Sequence, residues 1–193
     1  MKLVKIGEIH SPYEDWAPSQ PPEKAAKNIE DFKIVLDKGY EDYLTSLEKF
    51  SYIYVLFYMD RLKSDVKSKV SPPWANGQNV GLFASRSPNR PSPVGLSVVR
   101  LLEVRGCELI ISPIDALNGT PVLDIKPYFK GLDTKEDANY GWLEKDKNAE
   151  HVIQHLRAVP HDHHHHDHNH NDEHDHHHHD HHHEHGKNDH DKK

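Results

Sequence analysis

Cysteine is almost absent: Cys107 is the only one in 193 residues. A single thiol excludes an intrachain disulfide and fits a reducing compartment. Long apolar runs are also missing. No stretch reaches the roughly 18 consecutive apolar residues of a membrane-spanning helix. The apolar run in "MKLVKIGEIHSPY" is too short for a signal peptide. These absences predict a soluble, cytoplasmic protein with no membrane partner. Positive charge is not in excess either. The formal net charge is −7, and the segment from His161 to Lys193 holds nine acids against three lysines, a net of −6. The rest of the chain is therefore near neutral, at about −1. Such a body does not bind nucleic acid by net charge, so any RNA contact must use a local patch. The usual nucleotide and metal signatures are missing from it as well. No G-x-G-x-x-G follows the first strand, no G-x-x-x-x-G-K-[ST] occurs, and no Cys/His zinc spacing exists before residue 161.

What the chain has in abundance is histidine, and it is concentrated at one end. Seventeen of the 20 histidines lie between His161 and Lys193, in a stretch with no apolar residue beyond Gly186. Such a segment cannot bury enough apolar surface to offset the entropy of ordering, so it is expected to be disordered. Its densest runs are His163, His164, His165 and His166, then His176, His177, His178 and His179. Imidazoles at this density bind Ni²⁺, Co²⁺, Zn²⁺ or Cu²⁺, and interspersed carboxylates favour a cation. Two readings stay open: a solvated tail with incidental metal affinity, or a device for storing, buffering or delivering metal. Below about pH 6.5 the tail would turn from acidic to cationic.

Before the tail, the chain reads as strands. "KLVKIGEIH" partly alternates and predicts an opening strand with a break near Gly7. "SPYEDWAPSQPPEKA" has four prolines and is a loop. "NIEDFKIVLD" predicts a strand, and "KGYEDYLTSLEKF" a short helix. "SYIYVLFYMD" is dense in aromatic and β-branched residues; it predicts the most buried strand, its aromatics in the core. "VGLFAS", "LSVVRLLEVRG" and "CELIISPIDAL" predict further strands, the last two joined by a turn at "RG" as an antiparallel pair. A terminal helix is predicted from about Glu144. Strands follow one another without long intervening helices. The fold class is therefore mainly β: an antiparallel sheet closed into a barrel, with short helices and a C-terminal helix. The domain division is a barrel over 1–135, a helical extension over 136–160 and the tail over 161–193.

Between two of these strands lies "SRSPNRPSPVGLS", a rigid loop with three prolines and two arginines. Read on through "GLFASRSPNRPSPVGLSVVRLLEV" to "DALNGTPVLDIKPYF", the chain closely resembles the two core motifs of the TsaA-like family, whose characterised members are tRNA methyltransferases (TrmO). "GEIHSPY" and "LEKFSYIYVLFYMD" are similar to that family's weaker motifs. The resemblance covers roughly residues 3 to 135, in order. It implies a β-barrel methyltransferase that binds S-adenosylmethionine outside any Rossmann fold and forms homodimers with the cofactor near the subunit interface. It implies a tRNA partner, methylated on the exocyclic nitrogen of threonylcarbamoyladenosine beside the anticodon.

The resemblance also implies site residues. Arg86 and Leu96 fall where the family contacts the cofactor. Asn118, Gly119, Thr120 and Pro121 match its cofactor loop, expected to work through backbone groups. Pro18, Ser19 and Gln20 match a motif that is usually Pro-Arg-Gln, and Met59 and Asp60 stand where many members have Phe-His. Ser85 and Ser92 replace Thr and Asn. The residues themselves add chemistry. A guanidinium at Arg86 suits a bidentate grip on a carboxylate, and Leu96 suits an adenine wall. Pro88, Pro91 and Pro93 reduce the entropy lost when the loop orders around a ligand. Asp124, Lys126 and Tyr128 alternate in "DIKPY" and so share one strand face, expected to line the pocket; which of them acts as base stays open. Arg61, Arg90, Lys126 and Lys130 are the candidates for tRNA phosphates. Taken alone, Arg86 and Arg90 read as structural or solvated loop arginines, a reading the motif reverses, and Cys107 reads as a small buried hydrophobe.

Overall fold

The computed structural model describes residues 2–145, apart from positions 20, 22, 24, 25, 27, 29, 63, 64 and 73–76. The predicted tail and its histidines lie outside the described residues. Eight strands form: β1 (Gly7–His10), β2 (Lys33–Leu36), β3 (Tyr52–Tyr58), β4 (Lys69–Val70), β5 (Val80–Gly81), β6 (Val94–Arg105), β7 (Glu108–Ile111) and β8 (Thr120–Pro127). Six of them make a closed antiparallel barrel in the order β1-β2-β7-β6-β3-β8, with β8 returning to β1. β4 and β5 pair separately, outside the ring. Among the described residues no helix is long and apolar enough to cross a membrane.

Period-two patterning explains why these segments pair around a core. Ile9, Ile34, Leu36, Ile53, Val55, Phe57, Val99, Leu109, Ile111 and Val122 point inward and are buried. A six-stranded ring leaves room only for side chains, so these residues fill the interior completely. Each fully buried aliphatic contributes about 1.5–3 kcal/mol relative to exposure. Two irregularities bend the wall. β6 pairs with β3 through Arg100 and with β7 from Leu101, and its register shifts between Leu101 and Glu103. β8 shifts against β3 between Leu56 and Phe57, so Asp124 opposes Leu56 while Val122 opposes Phe57. Such bulges sharpen local twist and turn a flat ladder into a closed one.

Several expectations need correction. The opening strand begins at Gly7 rather than breaking there; Leu3 and Val4 are exposed and precede it. The "KGYEDYLTSLEKF" helix is two 3-10 turns, Glu41–Leu44 and Leu47–Lys49, because Ser46 between them sits at φ 71 and interrupts the helical path. β3 is not buried throughout: Tyr52, Tyr54 and Tyr58 lie on its outer face and only Phe57 of its aromatics enters the core. β7 carries three consecutive buried residues instead. "VGLFAS" gives only two strand residues before a 3-10 turn at Leu82–Ala84, where Leu82 buries its side chain. The described part of the terminal helix is a 3-10 turn, Gly141–Lys145; the rest of that prediction lies outside the described residues. A short helix that the sequence did not signal, α1 (Lys130–Asp133), follows β8 and receives its first turn from the Asp133 carboxylate, which accepts the Phe129 amide at 2.7 Å.

One packing contact fixes the open end of the barrel. Gly95 opposes Phe57 across β6 and β3, and a Cβ there would lie 2.2 Å from Phe57 Cε2. The ring occupies the space a side chain would take. Gly95→Ala should therefore displace Phe57 and cost about 1–3 kcal/mol, read as a lower denaturation midpoint. An unchanged midpoint would contradict this packing.

Candidate functional site

Antiparallel closure gathers one set of loops at one end of the barrel. β1, β3 and β7 end there, and β6 and β8 begin there. The loops that meet are 11–19, 59–62, 85–93 and 112–119. The 112–119 loop is held by backbone bonds: Asn118 donates its amide to Tyr13 O at 2.7 Å and Gly119 to Ile9 O at 2.7 Å. Ser11, itself buried, donates its hydroxyl to Ala116 O at 2.8 Å. Gly119 has φ 76, a left-handed backbone that costs a side chain about 1–2 kcal/mol.

Arg61 locks three of these loops together. Its guanidinium donates to Glu14 O at 3.4 Å and to Asn118 O, and its Nε lies 3.7 Å from Asp60 Oδ1. Asn118 Nδ2 completes the junction by donating to Glu14 Oε1 at 3.0 Å. This corrects two expectations. Arg61 is engaged with protein carbonyls rather than free for phosphate. The "NGTP" turn does not offer its amides to a ligand either, because those of Asn118, Gly119 and Thr120 all reach protein carbonyls.

The proline-rich loop is organised the same way. Arg90 folds back over its own chain. Its Nη1 donates to Ser85 O at 2.9 Å and Ser87 O at 3.3 Å, and its Cζ lies 5.5 Å from the Phe83 ring centre. Arg90 shapes the loop and is not the free cation expected for RNA. Arg86 behaves oppositely. It is exposed and makes no ion pair or hydrogen bond to another described residue. Trp142 secures the other flank of the loop, its indole donating to Ala84 O at 2.8 Å.

Two adjoining cavities open between the loops. The larger, about 660 Å³, is walled by Trp16, Phe57, Met59, Leu62 and Leu117, with Asp60 and Thr120 at its polar edge. The smaller, about 390 Å³, is lined by Arg86, Leu96, Tyr54, Val98 and Pro21. Asp115 lines both. Ser97 donates its hydroxyl to Asp115 Oδ1 at 2.5 Å. The pair has the size and character of a small-molecule site, largely apolar with a few fixed polar groups.

The expected cofactor residues distribute over this cleft. Met59, Asp60 and Thr120 line the larger cavity; Arg86 and Leu96 line the smaller. Pro18 and Ser19 lie in the short stretch between Ala17, which lines the larger cavity, and Pro21, which lines the smaller. Gln20 lies outside the described residues. Asn118, Gly119 and Pro121 line neither cavity and act on its shape through Arg61 and the β1–β8 ladder.

Asp124, Lys126 and Tyr128 do share a strand face, but it is the outer one and lines neither cavity. Asp124 and Lys126 pair at 2.6 Å, and Tyr128 packs its ring on Tyr52 and Tyr54. Tyr54, opposite Lys126, connects that face to the smaller cavity. Lys130 is exposed at the start of α1.

Sequence reading missed Asp115, Ser97, Phe57, Trp16 and Tyr54 as site residues. Asp115 had a legible signal: an acid three residues before the "NGTP" turn, with no cation near it in sequence. It also missed a clasp beside the smaller cavity. Glu23 accepts from Arg100 Nε and from Tyr52 Oη, both at 3.0 Å, and Arg100 stacks over the Tyr52 ring at 4.5 Å. The hydrogen bond from Arg100, reinforced by Tyr52, holds the Glu23 carboxyl below its ordinary value. That clasp fixes the Pro21 segment against the outer wall.

Comparison with known proteins gives consistent matches. The family model for the tRNA-methyltransferase O N-terminal domain matches residues 8–134. A probable S-adenosyl-L-methionine-binding protein of Pyrococcus abyssi is 40% identical over 141 residues, covering 73% of this chain and 75% of that protein. The tRNA (adenine(37)-N6)-methyltransferase of Escherichia coli is 32% identical over 166 residues, covering 82% of this chain and 70% of that protein. The crystal structure of TrmO from Pseudomonas aeruginosa superposes with a TM-score of 0.59 at 31% identity, covering 74% of this chain and 62% of that one. This chain thus spans about three-fifths of that solved structure.

Replacing Arg61 tests the junction. Arg61→Ala should lower stability by about 1 kcal/mol, a hydrogen-bond loss reduced by exposure, and should speed amide exchange at Asn118 and Gly119. Arg61→Lys should not restore either, since a point charge cannot bridge two carbonyls as the guanidinium fork does. Wild-type stability and exchange in Arg61→Ala would refute the clamp.

Proposed function

The chain belongs to the tRNA-methyltransferase O N-terminal domain family, and on that premise we propose that it is an S-adenosylmethionine-dependent tRNA methyltransferase acting on the exocyclic nitrogen of threonylcarbamoyladenosine beside the anticodon. The observation that carries the reading is the cleft itself. Met59, Asp60, Arg86, Leu96 and Thr120, all expected at a cofactor site, line two adjoining cavities together with Trp16, Pro88 and Asp115, so that all four loops contribute. S-adenosylmethionine has an apolar adenine, a cationic sulfur and a zwitterionic amino-acid end. The larger cavity suits the adenine, with apolar walls from Phe57, Met59 and Trp16; Leu96, expected as the adenine wall, instead lines the smaller cavity beside Arg86. Arg86, unpaired at the smaller cavity, suits the carboxylate through charge-assisted hydrogen bonds. When bound, the cofactor supplies an electrophilic methyl group; the loops supply in-line positioning and exclude water.

Homodimerisation is part of the proposal. The outer face of β6 exposes Leu96 and Val98 and, beyond Arg100, Leu102 at 59%, 49% and 42%, apolar surface that a second copy would cover. Leu96 also lines the smaller cavity, so such a dimer would place cofactor and interface together. For tRNA, Lys130 is the expected phosphate contact whose side chain makes neither an ion pair nor a hydrogen bond among the described residues. Asp124, Lys126 and Tyr128 would act at the acceptor side, beside Tyr54. The site of action would be the cytoplasm.

The central test is methyl transfer from labelled S-adenosylmethionine to tRNA that carries or lacks the threonylcarbamoyl group. Label should enter only the modified tRNA, at the exocyclic nitrogen. Bound cofactor with no transfer to any tRNA would overturn the acceptor assignment. Arg86→Ala should weaken cofactor binding roughly tenfold or more, the loss of a charge-assisted contact; unchanged affinity would remove Arg86 from the site.

The tail adds a second, separable role. Its 17 histidines among nine acids support binding of Ni²⁺, Co²⁺ or Zn²⁺, with the barrel independent of the metal. Truncation after Pro160 should abolish Ni²⁺ binding measured by calorimetry and leave methyl transfer at the full-length rate. Retained metal binding in the truncated chain would place the ligands elsewhere.

A further inference from the structure

We propose that Asp115 is the carboxylate that faces the sulfonium of the methyl donor, and that it lets the site tell the donor from its demethylated thioether product. The inference rests on the reading of the cleft as an S-adenosylmethionine site. Its first support is position. Asp115 lines both cavities. On one side lies the apolar chamber around Phe57 and Met59; on the other lies the Arg86 guanidinium. The donor carries the same order of groups along its length: an aromatic end, a cationic sulfur, then a carboxylate. A ligand whose adenine takes the apolar chamber and whose carboxylate takes Arg86 brings its sulfur to the boundary, where Asp115 stands.

The second support is electrostatic. The other acids at this end of the barrel are engaged or lie elsewhere. Asp60 lies 3.7 Å from Arg61 Nε, Glu14 accepts from Asn118, and Glu23 is bound by Arg100. Asp15 is exposed and lines only the larger cavity. Asp115 makes no ion pair with a described residue. Its partner is the neutral hydroxyl of Ser97, at 2.5 Å. Ser97 opposes the buried Val55 on the inward side of β6, so the barrel wall itself sets the orientation of the carboxylate. A half-buried carboxylate whose hydrogen-bond partner is a neutral hydroxyl has no counter-charge among the described residues, and a bound cation would supply one.

The consequence is selective. Adenine, ammonium and carboxylate are common to the donor and to S-adenosylhomocysteine; the two differ only at sulfur, which in the donor carries the extra methyl group and the positive charge. A carboxylate facing sulfur attracts the donor and gains nothing from the product. The acceptor nitrogen forms the new N–C bond with its lone pair and releases its proton to solvent, while the S–C bond electrons stay on sulfur and turn the sulfonium into a neutral thioether. The attraction then vanishes, and product exchange for fresh donor is favoured.

Calorimetric titration of the full chain with S-adenosylmethionine and with S-adenosylhomocysteine tests this without any methyl acceptor. Asp115→Asn keeps the shape and still accepts from Ser97, so thermal melting should match wild type. It should weaken donor binding about tenfold, the scale of one partly screened charge contact, and change product binding less than about twofold. Asp115→Glu should keep the preference for donor, and Ser97→Ala should erode it in part. Equal weakening of both ligands by Asp115→Asn would overturn the inference, because the carboxylate would then face a group they share. No weakening of either would overturn it too. A wild-type protein that binds neither ligand would instead overturn the reading of the cleft, and this inference with it.

Discussion

Closure of the ring between β1 and β8 is the constraint on which everything at the open end depends. The register places Ile9 against Thr120 and Gly7 against Val122. That short ladder joins the first strand of the chain to the last. It brings the loop after β1 to the loop before β8, more than a hundred residues later. The amides of Asn118 and Gly119 then find carbonyls at Tyr13 and Ile9. Arg61 can bridge Glu14 and Asn118 only because closure has already set their carbonyls side by side. The cleft is thus a by-product of finishing the barrel. Its precision comes from the wall, and its chemistry from the loops that the wall collects.

The arginines explain how a nearly neutral body can still hold a charged ligand. Arg61, Arg90 and Arg100 are each engaged by carbonyls, aromatic faces or a carboxylate. Guanidinium groups suit this work, because one fork satisfies several loop acceptors that have no strand partner. Arg86 stands apart with no internal partner among the described residues, and so remains available at the smaller cavity. Among the described residues at the cleft, these arginines shape loops, while Arg86 and Asp115 make no ion pair and, in the proposed reading, address the ligand.

Much of this was legible in the sequence. Partial alternation in β1, the aromatic and β-branched density of β3 and the apolar run of β6 pointed to strands, and the "RG" turn to the β6–β7 pair, because these signals are local. The motif residues Met59, Asp60, Arg86, Leu96 and Thr120 came from the family resemblance and do meet at the cleft. The failures were non-local. Whether Arg61 or Arg90 is free depends on carbonyls contributed by distant or folded-back segments, which no spacing rule encodes. The face of "DIKPY" was read correctly as one side of a strand, yet alternation cannot say which side is the interior. Register against β3, with its shift at Leu56, decides that. Asp115 escaped notice because its importance lies in touching two cavities at once, a property of assembled loops.

The two ends of the barrel differ in a way that bears on how this fold can change. At the end away from the cleft, β6 turns into β7 through Gly106 and Cys107 alone, with Gly106 at φ 57. A link this short pins the strand register and tolerates almost no change in length. The loops that line the cleft gather at the opposite end, while residues 37–51 link β2 to β3 at this one. The molecule therefore holds the β6–β7 register with a two-residue turn at one end and opens its ligand-sized cleft at the other.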